Sequence, residues 1–262
     1  MKKVILGAVS ALAISSSAFA ADIYRGEAVS MKDAPVYVAP HIWTGFYVGA
    51  NVGYGWSAED SAELTVDGTG PLYPLTAKYS TDFEGVFGGG LIGYNIQRGR
   101  VVFGIEADIQ AADFTETYSA VNPFSLPNIV PSGTASLNTK LDIDWLGTLR
   151  ARLGVASGNT LIYATGGLAF GEVDLEGLYA NFSQVPFGAE DTNTGFALGA
   201  GIEHALGGNW SLKAEYLYVD LGDIKARTVT VDEVYETEAD VAFHAVRVGL
   251  NYKLGSKHEP LK

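Results

Sequence analysis

Between Gly45 and Trp56 the chain alternates with period two. Phe46, Val48, Ala50, Val52, Tyr54 and Trp56 are apolar, while Gly45, Tyr47, Gly49, Asn51, Gly53 and Gly55 are mostly small or polar. Successive side chains on a strand point to opposite faces, so the pattern predicts a β-strand with two chemically distinct sides. Soluble strands average about 5–6 residues. A dozen residues suits instead a tilted strand crossing a bilayer, which needs about 9–11.

Seven further segments alternate in the same way. Residues 84–97 set Val86, Ile92, Tyr94 and Ile96 on one face. Residues 100–114 set Val101, Phe103, Ile105, Ala107 and Ile109 against Glu106, Asp108 and Gln110. Residues 140–155 set Leu141, Ile143, Trp145, Leu149, Leu153 and Val155 against Asp142, Asp144, Arg150 and Arg152. Residues 160–173 oppose Ile162, Ala164, Leu168 and Phe170 to Tyr163, Thr165, Gly167 and Gly171, and residues 194–206 oppose Phe196, Leu198, Ala200, Ile202 and Leu206 to Gly195, Gly199, Gly201 and Glu203. Residues 210–219 pair apolar Trp210, Leu212, Ala214, Tyr216 and Tyr218 with Ser211, Lys213 and Glu215. Residues 241–254 pair Val246, Val248, Leu250, Tyr252 and Leu254 with Arg247, Asn251 and Lys253. Phe83, Phe87, Leu91, Leu146 and Leu217 break the pattern by falling on the polar side.

The connectors predict the topology. Segments near 57–82, 115–139, 174–193 and 220–239 are long and rich in Asp, Glu, Ser, Thr and Pro, whereas those near 98–99, 156–159 and 207–209 are tight. Long loops on one rim and short turns on the other match an outer-membrane barrel, with loops outside and turns in the periplasm. Side-chain facing must continue across each hairpin. The parity switches require even turns at Arg98-Gly99 and Ser157-Gly158 and an odd one at Gly207-Gly208-Asn209, as the chain supplies. The predicted fold is all-β: an eight-stranded antiparallel up-and-down transmembrane β-barrel.

Alternation alone does not say which face points in, since a soluble lipocalin-like barrel also alternates. The glycines and opposed charges of the polar face are unsuited to an apolar ligand cavity. The apolar face carries Trp43, Tyr54, Trp56, Tyr94, Trp210, Tyr216, Tyr218 and Tyr252 near strand ends, as expected of interfacial girdles. The charged face is therefore placed inside. There Glu203 stands opposite Lys213, Arg150 and Arg152 share a level with Glu106 and Asp108, and Arg247 can meet Glu215. Eight strands leave room inside only for side chains, so these ions are expected to plug the lumen. A narrow conduit whose ion pairs rearrange is the alternative.

Composition supports this reading. The chain is 47% hydrophobic, yet no later stretch has the ~18 consecutive apolar residues of a membrane helix. Its 32 glycines suit the crowded inner wall of a narrow barrel. Cysteine is absent, which excludes disulfides and thiolate metal sites. A formal charge of −13, or −15 once Lys2 and Lys3 are removed, argues against nucleic acid. Lys2 and Lys3, apolar Val4 to Ile14 and Ala18-Phe19-Ala20 predict a cleavable signal peptide. The expected organisation is signal peptide 1–20, periplasmic leader 21–42, barrel 43–254 and tail 255–262. An even strand number places both barrel termini in the periplasm.

Catalytic chemistry finds little support. His41 precedes the first strand, His204 lies near a short turn and His258 in the tail, leaving His244 near the outer rim. No nucleophile–His–acid cluster or phosphate loop appears in a supporting context. Asp142 and Asp144, taken as inward, read as a salt-bridged rim, and the chain is expected not to be an enzyme. No cofactor or metal is expected. The acidic outer groups (Glu59, Asp60, Glu63, Asp67; Glu190, Asp191; Asp232, Glu233, Glu236, Glu238, Asp240) match no calcium loop and read as solvated, although divalent cations bridging them to lipopolysaccharide are conceivable.

Four ordered motifs carry a resemblance: Trp43-Thr44-Gly45-Phe46-Tyr47-Val48-Gly49, Tyr163-Ala164-Thr165-Gly166-Gly167-Leu168-Ala169, Ala200-Gly201-Ile202-Glu203 followed by Asn209-Trp210-Ser211-Leu212-Lys213-Ala214-Glu215-Tyr216, and Val246-Arg247-Val248-Gly249-Leu250-Asn251-Tyr252-Lys253. The chain resembles the alphaproteobacterial outer-membrane immunogenic proteins of the RopB-type porin family, which have OmpA-like barrels. The resemblance implies a surface protein of the Gram-negative outer membrane, in contact with lipid and lipopolysaccharide and inserted by the barrel-assembly machinery. It further implies envelope-integrity and host-contact roles, with an unknown extracellular partner. A small diffusion pore and a heme- or ligand-binding receptor are the alternatives. Heme would need an accessible axial His or Tyr, for which His244, Tyr73, Tyr79 and Tyr118 are the candidates. The family's terminal aromatic is absent, since Leu254 is followed by Gly255 to Lys262, and Tyr252 is the nearest substitute.

Overall fold

The computed structural model describes residues 42–58, 62–69, 73–79, 82–121, 123, 136–180 and 184–255. The expected signal peptide, all of the leader but Ile42, the tail beyond Gly255, and His41, Glu59, Asp60 and His258 lie outside the described residues. The strands are β1 (Gly45–Ser57), β2 (Ala62–Gly68), β3 (Leu75–Tyr79), β4 (Glu84–Arg98), β5 (Val101–Val121), β6 (Ser136–Ser157), β7 (Thr160–Ala180), β8 (Gln184–Gly207), β9 (Trp210–Val229) and β10 (Glu233–Leu254). Eight of them, β1 and β4 to β10, pair in order, and β1 closes on β10 from Phe46↔Leu254 to Ser57↔Phe243. Closure leaves the ring without an edge, as lipid requires of a β-protein. The hairpin β2–β3 adds to the outer part of β10, from Ala62↔Ala239 to Gly68↔Glu233.

The turns differ in detail from expectation. The first two are Gly99-Arg100, flanked by Arg98↔Val101, and Gly158-Asn159, flanked by Ser157↔Thr160. Each begins with a glycine at positive φ, which a two-residue hairpin turn favours. The third is also two residues long, Gly208-Asn209. The extra residue demanded by parity is a bulge in β8 between Ala205 and Gly207.

A larger correction concerns the segments expected as loops. β5 to β10 continue far beyond a bilayer's need and absorb most of 115–121, 136–139, 174–180, 184–193 and 220–239, while 62–79 supplies β2 and β3. In this outer zone the polarity of the two faces inverts. Nearer the short turns, Ile105, Ile109, Ile162 and Leu198 point outward and are exposed, and charged residues point in. Farther out, Leu64, Val66, Leu137, Val173, Leu175, Phe187, Ile224, Ala239 and Phe243 are buried inside, and acidic residues such as Glu176, Glu236 and Glu238 point outward. An acidic exterior over an apolar interior is the pattern of a part surrounded by water rather than lipid. Polar composition had suggested loops, although it marks only the solvated side of continuing strands.

Two bulges retune the facing. β6 carries Asp144 as an extra residue relative to β7, between Ile143↔Val173 and Trp145↔Glu172. Leu141 and Ile143 are consequently buried inside rather than facing out with Leu149. Asp142 and Asp144, expected inward, lie on the outer surface, where Lys140 binds Asp142 at 2.6 Å. In β9 the shift falls at Leu221-Gly222, with Gly222 at φ +74°. It turns Ile224 and Ala226 inward.

Above Phe196↔Asp220 the ladder between β8 and β9 ends, and β4 stops at Glu84, leaving outer β5 paired with β6 alone. The ring thus opens into two four-stranded sheets, β5-β6-β7-β8 and β3-β2-β10-β9. Their apolar faces meet, with Tyr179 at 5.6 Å from Tyr235 and Tyr79 stacked at 5.1 Å on Tyr118. Side chains bridge the β8/β9 seam: Asn193 Nδ2 donates to Leu221 O (3.2 Å) and Thr228 Oγ1 to Pro186 O (3.3 Å). Pro186 and the charges Lys225 and Arg227 are features that blunt exposed edges.

Inside the membrane zone, large side chains lie flat on glycines of the adjacent strand. A Cβ on Gly93 would come within 2.2 Å of the Tyr47 ring, and one on Gly201 within 2.5 Å of the Tyr163 hydroxyl. Gly93→Ala and Gly201→Ala should each lose roughly 1–3 kcal/mol of stability, the usual cost of overpacking. Gly90→Ala, whose Cβ meets only a backbone oxygen at 3.8 Å, should be near neutral. Urea unfolding in lipid vesicles measures all three.

Candidate functional site: a balanced ion network in the lumen

Strand alternation delivers four cations and four carboxylates to the same level of the lumen. Arg150 and Arg152 come from β6, Lys213 and Glu215 from β9, Glu106 and Asp108 from β5, Glu203 from β8 and Arg247 from β10. All eight are buried, with Arg150 and Lys213 almost wholly so. Arg150 Nη2 lies 2.7 Å from Glu106 Oε1 and 2.9 Å from Asp108 Oδ2, and its Nη1 lies 3.3 Å from Glu215 Oε1. Arg247 Nη2 contacts Glu215 Oε2 at 2.5 Å and Asp108 Oδ2 at 3.2 Å. Glu203 and Lys213 are register partners but bond elsewhere: Lys213 to Glu106 at 2.8 Å, Glu203 to Arg152 at 2.7 Å. The network spans the lumen rather than running along one hairpin.

Neutral donors complete it. Tyr47 and Tyr163 donate to Glu106 and Glu215, both at 2.9 Å, and Ser211 and Asn251 donate to Glu203. Thr148 donates to Asp108 at 2.7 Å. The Arg152 guanidinium sits 3.9 Å from the Tyr163 ring centroid, a cation–π contact. These donors went unassigned in the sequence, although their inward parity was the available signal. Four positive and four negative groups balance, and each desolvated carboxylate gains charge-assisted bonds that offset its lost hydration.

Apolar layers lie on both sides. Toward the short turns, Trp43 packs with Val102, Ala156, Leu161 and Tyr163. Trp43 was expected in the lipid-facing girdle but is buried inside, because it precedes β1 and folds across the mouth. Toward the outer zone, Phe83, Phe87, Phe114 and Phe243 make ring contacts at 5.5–6.1 Å. Leu146 and Leu217, which break the alternation, belong to the same core. A cavity of about 20 Å³ separates this core from the network beside Gln110 and Arg247, enough for one water.

The remaining aromatics lie on the outer surface at two levels. Tyr94 packs on Phe46 and Trp210 on Tyr252 nearer the short turns. Trp56, Tyr216 and Tyr218 surround the His244 ring nearer the outer zone, with Tyr54 level with Tyr216 through Val246. Six to ten residues along a tilted strand separate the levels, roughly 15–25 Å of membrane. His244 therefore faces the barrel's surroundings, with Nδ1 2.7 Å from the Tyr216 hydroxyl. His204 is outward beside Thr160. Among the described residues no three His, Asp or Glu side chains are arranged to hold a metal. At the outer tip Tyr73 and Tyr235 both donate to Glu233, tying β2–β3 to β10. That hydrogen bond, with burial, pushes the Tyr73 phenol up to about 12.

Residues 6–253 match the outer membrane protein beta-barrel domain family. The chain belongs to that family. It is similar to the 31 kDa outer-membrane immunogenic protein of Brucella melitensis, with 38% identity over 97% of this chain and 100% of the relative. It is also similar to the 25 kDa outer-membrane immunogenic protein of Brucella abortus, with 26% identity over 97% and 98%. The solved outer membrane protein OprG from Pseudomonas aeruginosa aligns with 84% of this chain and 100% of its own, with 12% identity and a TM-score of 0.47. Like other members of the beta-barrel family, the protein resides in the outer membrane of Gram-negative bacteria.

Arg150→Met leaves buried carboxylates short of a partner and should cost about 3–5 kcal/mol. Adding Asp108→Asn rebalances the charges and should recover part of that loss in the same urea titration. The tip gives a pH prediction. A phenol raised from 10.0 to about 12 contributes stability that is full below pH 10 and lost as pH rises through 12. The β2–β3 hairpin should therefore become protease-sensitive over that interval, and Glu233→Gln, which removes the main cause of the shift, should flatten this pH dependence.

Proposed function

We propose that this protein is a closed membrane anchor that holds a rigid β-sandwich above the cell surface for envelope integrity and contact with the environment. One observation carries the reading. The strands continue past the membrane zone and enclose a packed apolar core. A diffusion pore needs a water-filled path, whereas this lumen is layered with an indole-centred cluster, a balanced ion network and a phenylalanine-rich core. In this reading the short turns and the N-terminal side of β1 face the periplasm and the sandwich faces outward amid lipopolysaccharide, after insertion by the barrel-assembly machinery.

The reading assigns no reaction and no cofactor. Glu106, Asp108, Glu203 and Glu215 are each held by a guanidinium or ammonium group, which supports an ion-paired rather than a general-base role for them. The tyrosines weighed for heme have other roles: Tyr79 stacks inside on Tyr118, and Tyr73 is bound to Glu233. The charged outer face of β3-β2-β10-β9, with pairs Lys225–Glu238 and Arg227–Glu236, is the surface offered to extracellular partners. In planar bilayers the refolded protein should show no stepwise conductance. Arg150→Ala and Arg152→Ala should stay silent too, because the apolar core above them is intact. Open-channel steps from the unmodified barrel would overturn the reading in favour of a pore.

A further inference from the structure

We infer that Trp43 is a hinged stopper, closing the short-turn mouth of the barrel and swinging aside to open the charged chamber on that side alone. Three observations converge. The first is how Trp43 is held. Ile42, Trp43 and Thr44 lie before β1 and outside any strand ladder. The bonds that hold them each use a side chain. The Trp43 N–H donates to Gln97 Oε1 (3.1 Å), the Gln97 N–H donates to Thr44 Oγ1 (2.9 Å), and Lys253 Nζ donates to Ile42 O (2.8 Å). Such contacts break one at a time, unlike a cooperative ladder.

The second is an imperfection. The indole Nε1–H of Trp43 is buried without a hydrogen-bond partner. A buried donor left unpaired disfavours the state that buries it, so the seated ring is opposed by its own polar atom. The third is space and a pivot. A cavity of about 320 Å³ adjoins Trp43, bordered by Tyr47, Asn95, Glu203, Ser211 and Lys253. That is room for about ten waters at ~30 Å³ each, so a displaced ring can be hydrated there. Gly45, which starts β1, has φ +131°, a conformation open to glycine and strained for other residues. A Cβ there would meet nothing nearer than Lys253 at 3.8 Å. The pivot is thus unobstructed.

The two ends of the chamber are consequently unequal. The outer end is sealed by residues spread over many strands. Among the described residues, Trp43 is the side chain that the three-residue strap lays across the short-turn end, over Val102, Ala156, Leu161 and Tyr163. Behind that strap stand Glu203 and Arg152, the pair nearest the mouth.

The absence of cysteine makes single-thiol labelling clean. Ala156, packed behind Trp43 and nearly buried, is the reporter as Ala156→Cys, probed with a charged methanethiosulfonate on folded protein. Labelling should be slow with Trp43 in place and at least tenfold faster when Trp43→Ala is added. Lys253→Met, which removes one tether and keeps the ring, should give an intermediate rate. Phe114→Ala, at the opposite end, should leave the rate unchanged. Equal labelling with and without Trp43, or no acceleration by Lys253→Met, would refute the stopper. Should Trp43→Ala not fold, as judged by heat-modifiable mobility, the Lys253→Met rate decides alone.

Discussion

The ring of backbone hydrogen bonds that closes between β1 and β10 is the constraint from which the rest follows. Lipid offers no partner to an exposed N–H or C=O, so the strands must bond to one another around a full circle. Eight strands make a circle too narrow for bulk water and too wide for backbone to fill. Side chains must fill it, and glycines on neighbouring strands make the room, as Gly93 does for Tyr47 and Gly201 for Tyr163. Charged side chains inside must then be matched, since removing one member strands its partner in a low dielectric. Glu106, touched by Arg150, Lys213 and Tyr47, stands at the centre of that matching.

The same strands pass through two solvents. β10 shows this without any change of parity along its own length. Its inward face runs from Asn251 and Arg247 in the membrane zone to Phe243, Val241, Ala239 and Tyr235 in the outer zone. Its outward face changes from Leu250 and Val248 to Glu238 and Glu236. The outer half is built like a soluble sandwich, with hydrophobic burial on the inside. The membrane half is built the other way round, with lipid satisfying the apolar exterior. Phe83, Phe87, Leu146 and Leu217 stand where the two regimes meet, which explains why they break the alternation.

Legibility in the sequence followed how local each cause was. Period-two alternation exposed the eight ring strands, and glycine-bearing turns exposed their connections, because both are properties of a few adjacent residues. The facing of Arg150, Arg152, Glu203, Lys213, Glu215 and Arg247 could be derived for the same reason. The strand extensions were hidden because polarity was taken as the mark of a loop, when in the outer zone it is the mark of a wet face. Leu141, Ile143, Asp142 and Asp144 were assigned to the wrong sides because one extra residue in β6 shifts parity. Nothing in the composition of that stretch announces a bulge.

By itself, then, the sequence determined the class of fold, the order of the ring and the set of ions pointing to its axis, since these depend on side-chain period and turn length. Only the tertiary structure decided which ion meets which, where the polarity inverts, and that Trp43 enters the lumen instead of the lipid. Those outcomes depend on distances across the ring between residues as far apart in the chain as Glu106 and Arg247. A one-dimensional pattern contains no such distances until the circle of hydrogen bonds has closed.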